Sequence, residues 1–592
     1  MSQSQQLIRG GSFLIDSLQP EQLFTPEDFT EEQLIIGKTT EEFVRNEVLP
    51  LLPEIEQQKF EHSVKLLQKA GELGLTGADI PEEYGGLGLD KISSALITEK
   101  MGESRSFSVT FGGHVGIGSL PIVFFGTEDQ KQKYLPAIAT GEKIAAYALT
   151  EPSSGTDALA AKTTAKLSPC GKYYILNGEK QWITNSGFAD IFIVYAKVDG
   201  EHFTAFIVER GYEGVSTGPE EQKMGLKGSS TRTLILDEVK VPVENVLGEI
   251  GKGHHVALNI LNIGRLKLAL GCIGSTKRLL EISVKYAKQR KQFQQPIANF
   301  GLIQEKLADM AIRTFVNESM AYRTAGLLEE RLSQLDEQSL QDGQSVAKAI
   351  ADYAIECSIN KVYGSEALDF VVDEAVQIHG GYGYMTEYEV ENAYRDARIN
   401  RIFEGTNEIN RLNIPAMLMR KVMKGELPLL AQVNGLQEEL MQYLPEDPDP
   451  TLPLAKEKQH LDLSKKLFLM VAGVSVQKYH DQLRHQQQLL ARLADMVIEI
   501  YAMESAIIRT EKSLLNNGDK KDQQLAYTQV YVQEAFGRIE QLAKECLAAA
   551  EEGDTLRTML ALVRKLTRFQ PINTLAIKKE IAAKIIDAER YL

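Results

Sequence analysis

Apolar residues recur at three- and four-residue intervals from about residue 26 to 140, as in "TTEEFVRNEVLPLLPEIEQ", and this spacing predicts amphipathic helices. From about 147 to 245 the period drops to two. "IFIVYAKV", "HFTAFIVE" and "TLILDEVKVP" read as strands, and "KYYILNGEKQWITN" sets Asn177-Gly178 between two strand-like runs, a hairpin signal. After the glycines of "GEIGKG" (248–253) long helical patterns return and continue to about 424. "PEDPDPTLP" (445–453) reads as a linker by its proline and acidic content. Beyond it Leu489, Leu493, Met496, Ile500, Met503 and Ile507 recur at helical spacing, and "NNG" (516–518) supplies a helix stop. No internal repeat or low-complexity segment interrupts this order. The pattern predicts an α+β protein with an N-terminal α-helical domain (26–146), a middle antiparallel β-domain (147–246), a C-terminal α-helical bundle (247–424) and an additional helical domain (430–592).

Bulk properties narrow the function classes. A chain of 592 residues is too long for one core and by length alone holds about three or four domains. Hydrophobic content of 43% and charged content of 25% are those of a soluble globular protein. A formal charge of −16 argues against nucleic acid as a general partner, without excluding a local basic pocket for an anion. Cys170, Cys272, Cys357 and Cys546 form no CxxC pair and read as buried thiols in a reducing compartment. The histidines show no HExxH spacing, so no metal is expected. "MSQSQQLIRGG" lacks a basic n-region followed by an apolar h-region, and the longest apolar run, "LFLMVAGVSV" (467–476), is well short of the roughly 20 residues that span a bilayer. The expected setting is cytoplasmic, or a mitochondrial matrix after processing.

"RIFEGTNEI" (401–409) places one carboxylate, Glu404, between an aromatic and a glycine-threonine pair. "VENAYRDARIN" before it reads as a polar helix, so the chain turns near Gly405, where glycine permits a positive φ or a close approach. Taken alone, such an acid is a solvated loop carboxylate.

The wider context changes that reading. "AYALTEPSSGTDALA" (146–160), "WITN" (182–185), "IHGGYGY" (378–384) and "RIFEGTNEI", in this order, resemble the signatures of the acyl-CoA dehydrogenase family, over roughly residues 30–420. "NFGLIQEKLADM" and the helices after 430 are similar to the very-long-chain subgroup, which carries such an extension. The resemblance implies a four-helix C-terminal bundle, an FAD cofactor and a fatty acyl-CoA substrate oxidised to the trans-2-enoyl-CoA, as in fatty-acid β-oxidation. Removing two hydrogens from adjacent saturated carbons needs a base for one proton and an acceptor for a hydride, and no side chain accepts hydride. Glu404 matches the family's base. Such a carboxylate needs desolvation and a polarised substrate carbonyl to act on so weak an acid. In some members the base sits on a helix, one residue before an arginine. That position here is Gly264, which supplies no base, so Glu404 is favoured.

The resemblance also assigns the remaining site residues. Arg265 and Asn262 match contacts at the thioester end, and Phe403, Gly405 and Thr156 join them as substrate contacts. Tyr147, Leu149, Thr150, Gly155 and Thr156 match the segment at the flavin's pyrimidine end, and Trp182, Ile183 and Thr184 the strand beside its reactive edge. Arg290, Phe293, Gln377, Gly380 and Gly381 match contributions to a neighbouring subunit's FAD, and Thr406 and Glu408 contact FAD again. Gln294 departs from the family's usual glycine after Phe293, which puts the turn there in doubt.

Implied partners are an electron-transfer flavoprotein and a second copy of the chain in a homodimer. Peripheral membrane contact through the extension stays open, although its acidic balance supplies little attraction to anionic lipid. An acyl-CoA oxidase-like flavoenzyme, a flavin monooxygenase and an assembly protein retaining the fold are alternatives. Glu404 opposes the monooxygenase, and the intact motifs oppose the assembly protein. Ungapped matching sets Val109 and Gly113, with Gly112 adjacent, where medium-chain relatives close the acyl pocket with polar side chains. The expectation is a deeper slot, a preference for chains of about 14 or more carbons and a shift toward shorter ones in Gly113→Glu.

Overall fold

The structure, a computed structural model, describes residues 7–444, 448, 449 and 451–592. Helix α1 (Glu31–Phe43) begins where Thr30 and Gln33 cap each other. The Thr30 hydroxyl accepts the Gln33 N–H at 3.2 Å and the Gln33 side chain accepts the Thr30 N–H at 3.1 Å. Helices α2 (Phe60–Glu72), α3 (Lys91–Met101), α4 (Ser106–Gly112) and α5 (Glu128–Ala139) build the rest of this N-terminal layer. Beyond Gly112 the chain continues as a π-type turn to Gly118.

Eight strands follow: β1 (Ala145–Ala148), β2 (Thr164–Leu167), β3 (Tyr173–Thr184), β4 (Ile191–Val198), β5 (His202–Glu209), β6 (Val215–Thr217), β7 (Thr231–Pro242) and β8 (Val246–Leu247). They form one sheet in the order β6-β7-β3-β2-β4-β5-β8, with β1 also beside β4. The sheet is mixed, because β1 and β2 run parallel to β4. Strand β4 is covered on both faces, and "IFIVYAKV" is therefore apolar without alternation. Phe192, Val194 and Ala196 enter a core shared with Phe43, Leu67 and Phe107. Ile191, Ile193 and Tyr195 enter another with Leu135, Ile260 and Tyr322.

The hairpin predicted at Asn177-Gly178 lies elsewhere. Tyr173–Thr184 is one strand, and the chain reverses between β2 and β3 through a turn in which Gly171 takes φ 71°. Asn177-Gly178 instead makes a bulge against β7, where a Cβ on Gly178 would lie 2.8 Å from the Thr163 Cα. The Asn177 amide pairs with Glu238 across the bulge, accepting its N–H at 2.9 Å and donating to its carboxylate at 2.6 Å. Asn-Gly thus serves a close backbone approach, not a reversal. Cys170 sits in the real turn and is exposed, whereas Cys272, Cys357 and Cys546 are buried as expected.

The glycines at 248–253 lead into α6 (Gly253–Gln289), followed by α7 (Gly301–Ser333), α8 (Ala354–His379), α9 (Glu389–Ala397) and α10 (Asn407–Met423). The extension contributes α11 (Ala455–Tyr479), α12 (Gln487–Leu515), α13 (Lys521–Ala550) and α14 (Thr574–Ala588). Helix α12 ends at the predicted stop, with Asn517 at φ 52°. Parts of the proposed linker, 445–447 and 450, lie outside the described residues. Leu493, Met496, Ile500, Met503 and Ile507 of α12 share one core with Leu280, Met310, Phe315 and Ile359 of the preceding helices. Among the described residues, two helical stretches, Ser106–Phe125 and Gly253–Gln289, are long and apolar enough to cross a membrane by length and composition. Within their most apolar windows 72% and 61% of residues are buried, the pattern of core helices.

Candidate active site

Glu404 projects from a tight turn between α9 and α10. Its φ is 57° and that of Gly405 is 78°, so the carboxylate-bearing residue itself occupies the left-handed region. The turn is held through its carbonyls. Arg265 Nε donates to the Glu404 carbonyl at 3.2 Å, and Asn410 Nδ2 donates to the Gly405 carbonyl at 2.8 Å. The Thr406 hydroxyl caps α10 by accepting the Ile409 N–H at 3.3 Å.

The carboxylate faces α6 at Gly264, where an added Cβ would stand 2.7 Å from Oε2. Oε2 is buried and has no hydrogen-bond partner in the protein. Burial pushes the Glu404 carboxyl up to about 7, against the opposing pull of Arg265 and Lys361. Arg265 is itself buried and donates from Nη1 to Asn262 Oδ1 at 3.0 Å. Asn262, Arg265, Glu404 and Gly405 are therefore neighbours.

Glu404 and Phe403 line a cavity of about 200 Å³ that also receives Thr184, Gly264 and Gly271. It follows α6 from Gly264 to Arg278, which at about 1.5 Å per residue is roughly 21 Å of helix. Ser108, Gly112 and Gly116 line the facing wall. A Cβ on Gly112 would meet nothing within 4 Å, and one on Gly271 or Gly116 only a single atom at 4.0 or 3.9 Å. Val109 and Gly113 line the cavity as expected, but a Cβ on Gly113 would fall 2.9 Å from Thr184 Cγ2, so a side chain there has less room than at Gly112. The open position is Gly112.

On β1 and directly after it, Tyr147 is buried with its Oη unpartnered, Leu149 is buried, and the Thr150 carbonyl accepts the Gln181 N–H at 2.8 Å. Trp182, the sole tryptophan, is 59% exposed on a bulge at φ 61°, next to buried Ile183 and to Thr184. Gly155 and Thr156 lie on the exposed loop between β1 and β2. That loop has an anchor the motif reading missed. Lys180 is fully buried and donates to Glu151 Oε1 at 2.7 Å and the Leu149 carbonyl at 3.2 Å, while Glu151 also accepts the Thr163 hydroxyl at 2.6 Å. A lysine in a polar run of a strand gives no sequence cue to this pairing.

The remaining group is not brought to this cavity within one chain. Arg290 lies 5.4 Å from the Tyr382 ring, and Gln377, Gly380 and Gly381 are exposed at the far end of α8. Sixteen residues separate Lys361, near Glu404, from Gln377, roughly 24 Å of helix. Phe293 is 88% exposed, and Phe293 and Gln294 take φ 51° and 64° between strands Lys291–Gln292 and Gln295–Pro296. Two positive φ values in a two-residue hairpin explain why glycine suits position 294; Gln294 adopts the same turn at a conformational cost. Glu408 is exposed on the first turn of α10.

Profiles of acyl-CoA dehydrogenase domains match the chain at residues 30–142 (N-terminal), 146–239 (middle), 251–419 (C-terminal) and 463–565 (a second C-terminal type). A probable acyl-CoA dehydrogenase of Bacillus subtilis (strain 168) is 61% identical over 584 residues, 98% of both chains. The mitochondrial very long-chain specific acyl-CoA dehydrogenase of Homo sapiens is 40% identical over 470 residues, covering 75% of this chain and 69% of the relative. An acyl-CoA dehydrogenase from Bacillus anthracis, solved in complex with FAD, superposes with a TM-score of 0.98 at 62% identity, covering 99% of this chain and 100% of that one. Butyryl-CoA dehydrogenase from Megasphaera elsdenii superposes with a TM-score of 0.60 at 36% identity, over 66% of this chain and 99% of that one. With its helical layers, its sheet and its extension all matched, the chain belongs to the acyl-CoA dehydrogenase family.

Proposed function

We propose that the chain is an FAD-dependent acyl-CoA dehydrogenase that converts long-chain acyl-CoA to trans-2-enoyl-CoA in β-oxidation, passing electrons to an electron-transfer flavoprotein. The observation that carries this reading is Glu404: a buried, unpartnered carboxylate oxygen aimed into an apolar cavity beside a glycine. The residues present fit the cofactor. The Tyr147 hydroxyl is buried without a hydrogen-bond partner, and Trp182 is exposed on the strand that reaches the cavity at Thr184. Bound FAD supplies hydride acceptance at the substrate's β-carbon, which no side chain offers. Tyr147, Leu149, Thr150, Trp182, Ile183 and Thr184 would hold it, with Gly155 and Thr156 on the adjoining loop and Thr406 and Glu408 after the base. Glu404 takes the α-proton, with Arg265 and Asn262 fixing its turn from α6.

Because burial moves the Glu404 carboxyl up to about 7, the free enzyme gains its active, ionised base as pH rises through that value. The expected kcat/KM profile climbs with pH to a plateau above about 7; a flat profile from pH 5 to 9 would count against the assignment.

Chain length follows from the glycine-lined wall. Gly112→Leu fills the open position, and excluding three or four methylenes at about 0.8 kcal/mol each lowers kcat/KM for long chains about 100-fold. Activity toward short acyl-CoAs stays close to wild type. An unchanged length profile would show that the chain runs elsewhere.

Phe293, Leu302, Tyr382, Tyr384 and Met385 are each exposed, with Arg290 5.4 Å from the Tyr382 ring. They support a homodimer in which these side chains reach the partner's cofactor. The 61% identical relative is bacterial, which supports a cytoplasmic setting.

The decisive experiment is anaerobic titration of the purified protein with acyl-CoAs of increasing length. Bleaching of the flavin's visible band by long chains is expected, with little peroxide on admitting air. Rapid peroxide formation would favour the oxidase, and no bleaching by any acyl-CoA would overturn the reading.

A further inference from the structure

Lys361 lies in the middle of α8 with a side chain that is 0% exposed. A buried ammonium is costly unless its charge and its N–H groups are answered. Nζ donates to Asn407 Oδ1 at 2.6 Å. Asn407, also buried, is the first residue of α10, three positions after Glu404. Its amide orientation is fixed from the other side. Nδ2 donates to Ser365 Oγ at 3.0 Å and to Glu366 Oε1 at 3.0 Å, so Oδ1 is the atom presented to Lys361. Ser365 stands one turn beyond Lys361 on the same face of α8. The two residues grip one amide.

The same lysine meets the electrostatics of the base. Glu404 is faced by Arg265 from α6, Lys361 from α8 and Tyr147 from β1. Lys361 is faced in turn by Glu404 and Glu408 from the α10 segment and by Arg265 and Cys272 from α6. Glu404 needs positive charge nearby because burial disfavours its ionised form, and direct contact would quench its basicity. A charge held back on Asn407 meets both conditions.

We propose that Lys361 is a positioning residue for proton abstraction, seating the first turn of α10 behind Glu404 and supplying, with Arg265, the positive charge that faces the carboxylate. This rests on the reading of Glu404 as the base. Lys361→Met removes charge and hydrogen bond; Lys361→Gln removes the charge but can still donate to Asn407. With FAD-loaded protein and a long-chain acyl-CoA, both variants should move the acid limb of the flavin-reduction profile up by about one pH unit. The loss is then about fivefold at pH 7, approaches about tenfold at lower pH and is recovered at high pH. Infrared titration of the free protein, with Glu404→Gln as the difference reference, should show the carboxyl band shifted the same way. A purely structural lysine predicts equal loss at every pH in Lys361→Met and rescue by Lys361→Gln, and that result overturns the proposal. If Glu404→Gln turns over normally, the base assignment itself fails and the proposal falls with it.

Discussion

Glu404→Gln is expected to bind FAD and acyl-CoA while losing about 10²- to 10⁴-fold in the rate of flavin reduction, the range general-base catalysis spans. The amide keeps the volume that fits against Gly264, where even a Cβ would stand 2.7 Å from the carboxylate. What it loses is the basic lone pair. Stability should move the other way. A carboxyl raised from 4.5 to about 7 stabilises the fold only while it is protonated, and that contribution disappears as pH rises through the folded value. Above pH 7 the ionised group therefore costs up to about 3 kcal/mol, which glutamine relieves. The variant's Tm at pH 8 should equal or exceed that of the wild type. An inactive protein that melts as well as the wild type and keeps its flavin isolates the chemistry. Near-normal turnover, or loss of FAD, would show that Glu404 has another role.

The same glutamate shows what was readable in the chain. Glycine after an acid announced a turn, and the turn exists, but the strain falls on Glu404 itself as well as on Gly405. Period-three and period-two patterns located the helices and strands because each element buries one face or both. The Asn-Gly hairpin was misplaced for a physical reason: the dipeptide's tolerance of unusual backbone serves a bulge and a reversal equally, and only the approach of Thr163 distinguishes them. Gly112 and Gly113 were likewise indistinguishable: both line the cavity, and only the packing that brings Thr184 against Gly113 leaves Gly112 the roomier position. Lys180 and Lys361 left no trace in any pattern. A buried lysine looks like a surface lysine until its partners, Glu151 and Asn407, arrive from distant segments.

Ending the chain near residue 430 is expected to abolish cooperative folding, although the catalytic motifs all precede that point. The extension packs on the catalytic body through a shared core, so it is not a removable part. Tyr501, Met503 and Ile507 of α12 belong to the cluster that contains Phe13, Met310 and Phe315, so truncation would uncover the buried faces of α7 and α8. Charges would be stranded too. Arg323, 2% exposed, donates to Glu504 at 2.6 Å and would lose that partner, while Glu318, 4% exposed, would lose Arg509 at 2.6 Å and keep Lys277. Removing one member of a buried pair typically costs about 3–5 kcal/mol, so the Arg323 loss alone takes a large share of a domain's stability. Arg411 of α10, bidentate to Glu366 at 2.6 and 2.9 Å, would also lose Asp495 of α12, loosening the segment that carries the base. The shortened chain should be insoluble, or compact with no sharp thermal transition and no bound flavin. A soluble chain of residues 1–430 that melts cooperatively and binds FAD would show that the extension is dispensable for folding. Light scattering on that protein and on the full chain would then decide whether it sets the oligomeric state.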